Sequence, residues 1–147
     1  MNFRTTRLPN LSNFDVGYLL DTNVVSDMMR TEQGKAEQRV LQVGADNVLT
    51  SILVIAEIRF GLAKRPSPRL QLRLDQLTKA IPALDFEPPA DSLYAEIRRA
   101  LESAGKVIGA MDMLIAAQAM AGDHTLVSAN EREFSRIAGL RVENWLR

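Results

Sequence analysis

Cysteine is absent from this 147-residue chain, and histidine occurs once, as His124. Disulfides and thiolate metal centres are therefore excluded, and a histidine-rich zinc centre has too few ligands. Any bound metal is left to oxygen donors, the preference of Mg²⁺ and Mn²⁺. Charge of one sign is also missing. Lys plus Arg number 18 against 18 for Asp plus Glu, a formal net charge of zero. That balance neither demands nor excludes nucleic acid, because local patches matter more than totals. No apolar run approaches the roughly 18 residues that span a bilayer. Met1 to Asp15 are polar and mixed, without the hydrophobic core of a signal peptide. The expectation is a cytoplasmic protein with no membrane contact. With one tryptophan, Trp145 reads as packing rather than as a base-stacking platform.

What is present is an ordinary globular balance, 46% hydrophobic and 24% charged residues, without repeats, low-complexity tracts or linkers. We read residues 1–16 as an N-terminal extension, either a frayed arm or the product of an upstream start site, and residues 17–147 as one domain. Tyr18-Leu19-Leu20 reads as a buried strand, followed by helices over Asn23 to Arg30 and Lys35 to Gly44. Val48-Leu49-Thr50 reads as a strand, and Ser51 is placed to cap a helix over Ile52 to Lys64 that is apolar on nearly all sides. A leucine-rich amphipathic helix follows over Arg69 to Lys79, then a strand at Ala83 to Phe86 and a helix from Pro89 to Ser103. Met111 to Ala121 is a small-residue helix, Thr125 to Ser128 a strand, Glu131 to Ile137 a short helix and Leu140 to Val142 an edge strand. Alternating helices and short strands predict an α/β layer fold with a mostly parallel sheet.

Three carboxylates stand where the pattern asks for apolar side chains. Asp21 follows Leu19-Leu20, Glu57 interrupts Ile52 to Ile58, and Asp112 lies between Ile108 and Ala117. Acids in such surroundings stay charged only beside a counter-charge or a metal. At the carboxyl end of a central strand, Asp21 is where ligands collect in an open sheet. Each acid also has a plainer reading. Asp21 and Asp112 can be helix caps, and Glu57 can pair with Arg59 or Arg98. Asn130 is either the cap of the helix after Ser128 or a neutral ligand to metal or water. Glu133 fits a capping-box acid or a fourth ligand. His124 reads as a solvated turn residue.

These residues resemble the PIN-domain ribonucleases, particularly the VapC-type toxins of bacterial toxin–antitoxin pairs. Leu20-Asp21-Thr22-Asn23-Val24 is similar to the opening motif. Thr50 to Ile52 with Ala56-Glu57-Ile58-Arg59-Phe60-Gly61 is similar to the second, and Gly109 to Ala117 to the third. Ser128 to Phe134 and Gly139 to Trp145 resemble the closing segment. The likeness implies an α/β/α sandwich around about five mostly parallel strands. It also implies a Mg²⁺-dependent endoribonuclease (with Mn²⁺ able to substitute), acting on tRNA or another RNA. The implied partners are a VapB-like antitoxin, operator DNA bound through that antitoxin, and a second copy in a homodimer.

Carried over by residue, Asp21, Glu57 and Asp112 are the catalytic, metal-binding acids, with Glu57 either ligand or water-orienting base. Thr22, Ser51 and Ser128 would hold waters around the ion. Asn130 departs from members with Asp there, so a second ion would be held weakly unless Glu133 compensates. Candidate phosphate contacts are Arg30, Arg59, Lys64, Arg65, Arg69, Arg73, Arg98, Arg99 and Lys106, with Lys64-Arg65, Arg69 and Arg73 the most suggestive cluster. The Arg69–Lys79 helix and the faces near Met28 and Met29 offer surfaces for self-association or for an antitoxin. Two rival readings remain at this point: a phosphatase using Asp21 as nucleophile, which usually carries a second Asp where Asn23 stands, and a catalytically silent interaction module.

Overall fold

Leu19 and Leu20 are fully buried in β1 (Tyr18–Leu20), which has a parallel partner on each side. Leu19 lies opposite Leu49 of β2 (Val48–Ser51) and opposite Leu126 of β4 (Thr125–Val127). A strand covered on both faces and both edges reads as a continuous apolar run, and this one does. The computed structural model describes residues 17–147, so the extension expected at residues 1–16 lies outside the described residues. β3 (Ala83–Leu84) and β5 (Val142–Glu143) close the two edges, giving the all-parallel order β3-β2-β1-β4-β5. The helices that flank this sheet complete the expected α/β/α sandwich. They are α1 (Thr22–Arg30), α2 (Lys35–Val43), α3 (Ile52–Lys64), α4 (Pro68–Ala80), α5 (Ala90–Ser103), α6 (Ala110–Ala121) and the one-turn α7 (Glu131–Phe134).

Helix boundaries follow local chemistry. Ser51 Oγ accepts the Leu53 N–H at 3.0 Å, and Ser67 Oγ accepts the Leu70 N–H at 3.2 Å with Pro68 in the first turn behind it. The small side chains of α6 let it lie closely against α5, burying Ile115, Ala116, Ala117 and Ala119 completely. Trp145 is buried as expected, with its ring centroid 5.2 Å from that of Tyr18.

Several expectations are corrected. α3 is not buried all round: Val54, Ile55 and Ile58 form its inner stripe, while Ile52 and Phe60 are 45% and 63% exposed. Its high hydrophobicity disguised an ordinary one-sided helix. Met28, Met29, Leu74 and Leu77 are buried where α1 packs on α4, so these side chains serve the chain's own core, while Leu72 of α4 stays 59% exposed. His124 is buried rather than solvated, and a Cβ on Gly122 would fall 2.3 Å from its Nε2. The turn therefore needs glycine there to admit the ring. Two strands are shorter or displaced, at Ala83–Leu84 and Val142–Glu143, because only those residues reach a neighbour's ladder.

Ser51 has a second duty. Besides capping α3, its buried hydroxyl donates to Gln118 Oε1, and Gln118 Nε2 donates to the Asp85 carbonyl at 3.1 Å. Ser51→Ala removes a cap and orphans a buried amide oxygen, so it should cost about 2 kcal/mol of unfolding free energy. A urea midpoint shifted downward at unchanged slope is the expected result.

Candidate active site

The chain leaves β1 to build β2 and β3 on one side, then returns to build β4 and β5 on the other. Its switch point is therefore the crevice at the carboxyl ends of β1 and β4, where open α/β sheets bind ligands. Asp21 follows β1 and Ser128 follows β4, and both are buried. The Asp21 N–H donates to the Val127 carbonyl at 2.9 Å, which extends the ladder one residue and fixes the carboxylate at the crevice.

Ser128 Oγ donates to Asp21 Oδ2 at 2.7 Å. Asn23 Nδ2 lies 3.4 Å from the same oxygen and 3.3 Å from Ser128 Oγ, while its Oδ1 accepts the Ala129 N–H at 3.0 Å. Asn23 thus ties the first turn of α1 to the end of β4. It was missed as a site residue; the available signal was a short polar side chain two positions beyond the strand-ending acid. Asp21 occupies the cap position of α1, yet its side chain makes no capping bond. The plain capping reading fails.

Thr22 Oγ1 donates to Glu57 Oε1 at 2.6 Å, joining the start of α1 to the middle of α3. Glu57 does not use its proposed counter-charges among the described residues, and Arg98 is instead bound to Glu102 and Tyr94. Asp112 is the third residue of α6, whose cap is Gly109, so it is not the cap either. Asn130 stands at the cap of α7 without a side-chain capping bond, and its N–H goes to Ser128 Oγ at 3.0 Å. The reciprocal capping box with Glu133 therefore does not form.

Electrostatics unites these acids. Burial, and after it the charges of Asp21, Glu133 and Glu57, together push the Asp112 carboxyl up to about 6. Burial also raises Asp21, opposed by the Ser128 hydroxyl and the Thr22 backbone N–H and reinforced by Glu57. Five ion pairs among the described residues engage Glu37, Glu102, Asp123, Glu131 and Glu143. Asp21, Glu57, Asp112 and Glu133 take none. Four carboxylates thus share one field without a cation, and the donor set is all oxygen. Among the described residues no three of them close on a single point with metal-site spacing; what they share is a field.

Other candidates fall outside this cluster. Ser51 faces Gln118 and the start of α3. Arg73 is tied to Glu37 and to the Met28 carbonyl at 3.1 Å, which makes it structural rather than a phosphate contact. Arg30, Lys64 and Arg65 do line a groove of about 800 Å³ that also contains Thr22 and Glu57.

The family profile described as PIN domain matches residues 18–140. Ribonuclease VapC2 of Rickettsia felis is 33% identical over 130 residues, spanning 87% of this chain and 97% of that protein. The chain belongs to the PIN-domain family and, by the second match, to its VapC ribonuclease branch. The tRNA(fMet)-specific endonuclease VapC of Shigella flexneri is 27% identical over 129 residues, spanning 87% and 97% of the two chains. The crystal structure of VapBC2 from Rickettsia felis bound to a DNA fragment from their promoter superposes with a TM-score of 0.80, at 34% identity over 87% of this chain and 98% of that one.

The raised Asp112 carboxyl has a stability consequence in metal-free protein. A carboxyl whose folded pKa lies above its ordinary 3.8 stabilises the fold fully only below that value, and this contribution is lost as pH rises through about 6. Asp112→Asn should therefore raise stability at pH 7 by about 1 kcal/mol, after allowance for its partial exposure. Chemical denaturation in a chelator at several pH values should show that gain shrink to nothing near pH 4.

Proposed function

We propose that this chain is a divalent-metal-dependent endoribonuclease acting as the toxin of a type II toxin–antitoxin pair. The observation that carries the reading is the cluster of four carboxylates at the switch point, unpaired with any lysine or arginine among the described residues. Asp21, Glu57 and Asp112 would hold Mg²⁺ or Mn²⁺, with Asn130 and Glu133 beside them. When bound, such an ion supplies Lewis acidity toward a phosphate oxygen and activates water near neutral pH.

The chain's own groups do the rest. Ser128 and Asn23 fix Asp21 in one orientation. Thr22 holds Glu57 through Oε1, so Oε2 is the oxygen that orients a water and takes its proton. Arg30, Lys64 and Arg65 offset the repulsion between an acidic site and a polyanion. The alternative of Asp21 as a phosphatase nucleophile loses ground here. Asp21 is 3% exposed and held by two donors, and the place of a second acid is taken by Asn23, which ties α1 to the end of β4.

The named relatives supply the biological setting. A VapB-type antitoxin is the partner we assign, with operator DNA engaged through it, as the promoter-bound relative suggests. Transfer RNA is the first substrate to try, given the specificity named for the Shigella flexneri relative.

The test is cleavage of total RNA and of purified tRNA, with and without Mg²⁺ or Mn²⁺. Discrete fragments should require metal, disappear with chelator, and fall by at least ~100-fold in Asp21→Asn and Asp112→Asn. Mn²⁺ should raise the melting temperature of the wild type and not of a triple Asp21→Asn/Glu57→Gln/Asp112→Asn variant. Inert wild type with no Mn²⁺-induced shift would leave a protein-interaction module.

A further inference from the structure

Thr50 is a buried residue whose packing does not call for a hydroxyl. It lies in β2, 2% exposed, and lines a small internal pocket with Val25, Met28, Ile55, Leu74 and Ile81. Valine has a similar shape, suits a strand as well and brings no polar group to bury. What the hydroxyl does is donate to the Leu20 carbonyl at 2.7 Å, across to the central strand. That carbonyl and the Asp21 N–H belong to one planar peptide group.

This peptide sits where the sheet parts. The register of β1 with β4 runs on to Leu20 opposite Val127, whereas its register with β2 stops at Leu19 opposite Leu49. The Thr50 backbone serves the other neighbour: its N–H donates to the Pro82 carbonyl at 2.9 Å, and it lies opposite Ala83 of β3. Only its side chain reaches back to β1. The Leu20–Asp21 peptide plane is thus pinned at both ends, the Asp21 N–H to Val127 on β4 and the Leu20 carbonyl to Thr50 on β2. One hydrogen bond lets a peptide plane pivot about it; two at opposite ends do not. The Asp21 side chain branches from the carbon beside that nitrogen, so a pivot would swing the carboxylate in the crevice.

Resting on the nuclease reading above, we propose that Thr50 is a positioning residue for Asp21. Its hydroxyl, acting through the Leu20 carbonyl, sets the angle of the peptide from which the acid projects. It does so on the β2 side, as Ser128 does on the β4 side. The same bond joins the strand that ends in Asp21 to the strand that leads into α3, which carries Glu57. The spacing of these two acids is thereby held through the backbone as well as through Thr22. Losing the bond misplaces acids and leaves the basic groove as it is, so the effect falls on metal affinity and kcat rather than on KM.

The test compares Thr50→Val, which removes the hydroxyl and keeps the shape, with Thr50→Ser, which keeps the hydroxyl. Amide hydrogen exchange in the metal-free full chain reports on the peptide itself. The Asp21 N–H should exchange about tenfold faster in Thr50→Val, while the Thr125 N–H, bonded to the Gly17 carbonyl at the other end of β1, keeps its rate. Mn²⁺ titration should show about tenfold weaker binding. Cleavage of the RNA that wild type cuts should lose about tenfold in kcat, with KM within about twofold of wild type. Thr50→Ser should restore all three. Val40→Ala, a core truncation in α2, which carries none of the acids, is the control for instability. It should lower the melting temperature at least as far as Thr50→Val does and leave kcat and Mn²⁺ affinity unchanged. If Thr50→Val does not fold, Thr50→Ala against Thr50→Ser isolates the hydroxyl in the same way.

Thr50→Val with wild-type exchange at Asp21 and wild-type kcat overturns the proposal even if the nuclease is real. So does a loss that Thr50→Ser fails to restore or that Val40→Ala reproduces, since threonine would then serve packing alone. Failure of the nuclease reading looks different: wild type would cleave nothing with any metal, while exchange at Asp21 would still follow the hydroxyl.

Discussion

A carboxylate buried among neutral donors is the constraint on which this structure turns. Asp21 sits at the end of the central strand, 3% exposed, and its hydrogen-bond partners are a serine hydroxyl and an asparagine amide. Burying a charge without an opposite charge is costly. An arginine would relieve that cost and also silence the acid. Ser128 and Asn23 instead hold its orientation while leaving its charge uncompensated. Because Ser128 ends β4 and Asn23 opens α1, the same bonds lock the crevice where the strand order reverses. Positioning of the acid and closure of the sheet at its functional edge are one set of interactions.

The distribution of the cations extends this logic. Arginines are paired with acids at Glu37, Glu102, Asp123, Glu131 and Glu143. Acids at the crevice and cations along the groove below α3 stay unpaired with each other among the described residues. A zero net charge thus conceals two segregated patches of opposite sign. Such segregation suits the function we propose, in which the cations would attract a polyanion and the acids would hold an ion that acts on it.

Much of the fold was legible because its signals are local. Buried parallel strands appear as short apolar runs, Ser51 and Gly122 mark helix ends, and all three acids broke an apolar pattern conspicuously. What escaped was relational. Nothing local distinguishes Arg73, which is bound to Glu37 and a carbonyl, from Arg65, which lines the groove. Nor does composition reveal that an apolar helix such as α3 exposes Ile52 and Phe60, since its inner stripe is set by what α1 and β2 cover. Asn23 was read as the absence of a second aspartate; its use as a tie to Ala129, 106 residues away, exists only after the sheet is assembled. His124 was misplaced for the same reason, because its burial depends on a turn whose glycine makes room for the ring.

The acids also differ in how firmly they are held, and that difference carries mechanistic weight. Asp21 is buried and fixed by two side chains. Glu57 is held through one oxygen by Thr22, and the Asp112 carboxylate has no hydrogen-bond partner among the described residues. No three of them meet at one point as they stand. Any adjustment toward a shared ion must then come from Asp112 and Glu57, because moving Asp21 would break the bonds that join β1 to β4. A site built this way would offer the proposed ion one rigid ligand, Asp21, and two that could close on it. Burial first, and then the charges of Asp21, Glu133 and Glu57, raise the Asp112 carboxyl to about 6; the divalent ion we propose would turn that mutual repulsion into attraction. Under the metal binding we propose, stability and ion affinity would be linked: the acids weaken the metal-free fold by the same electrostatic field that would favour a loaded one.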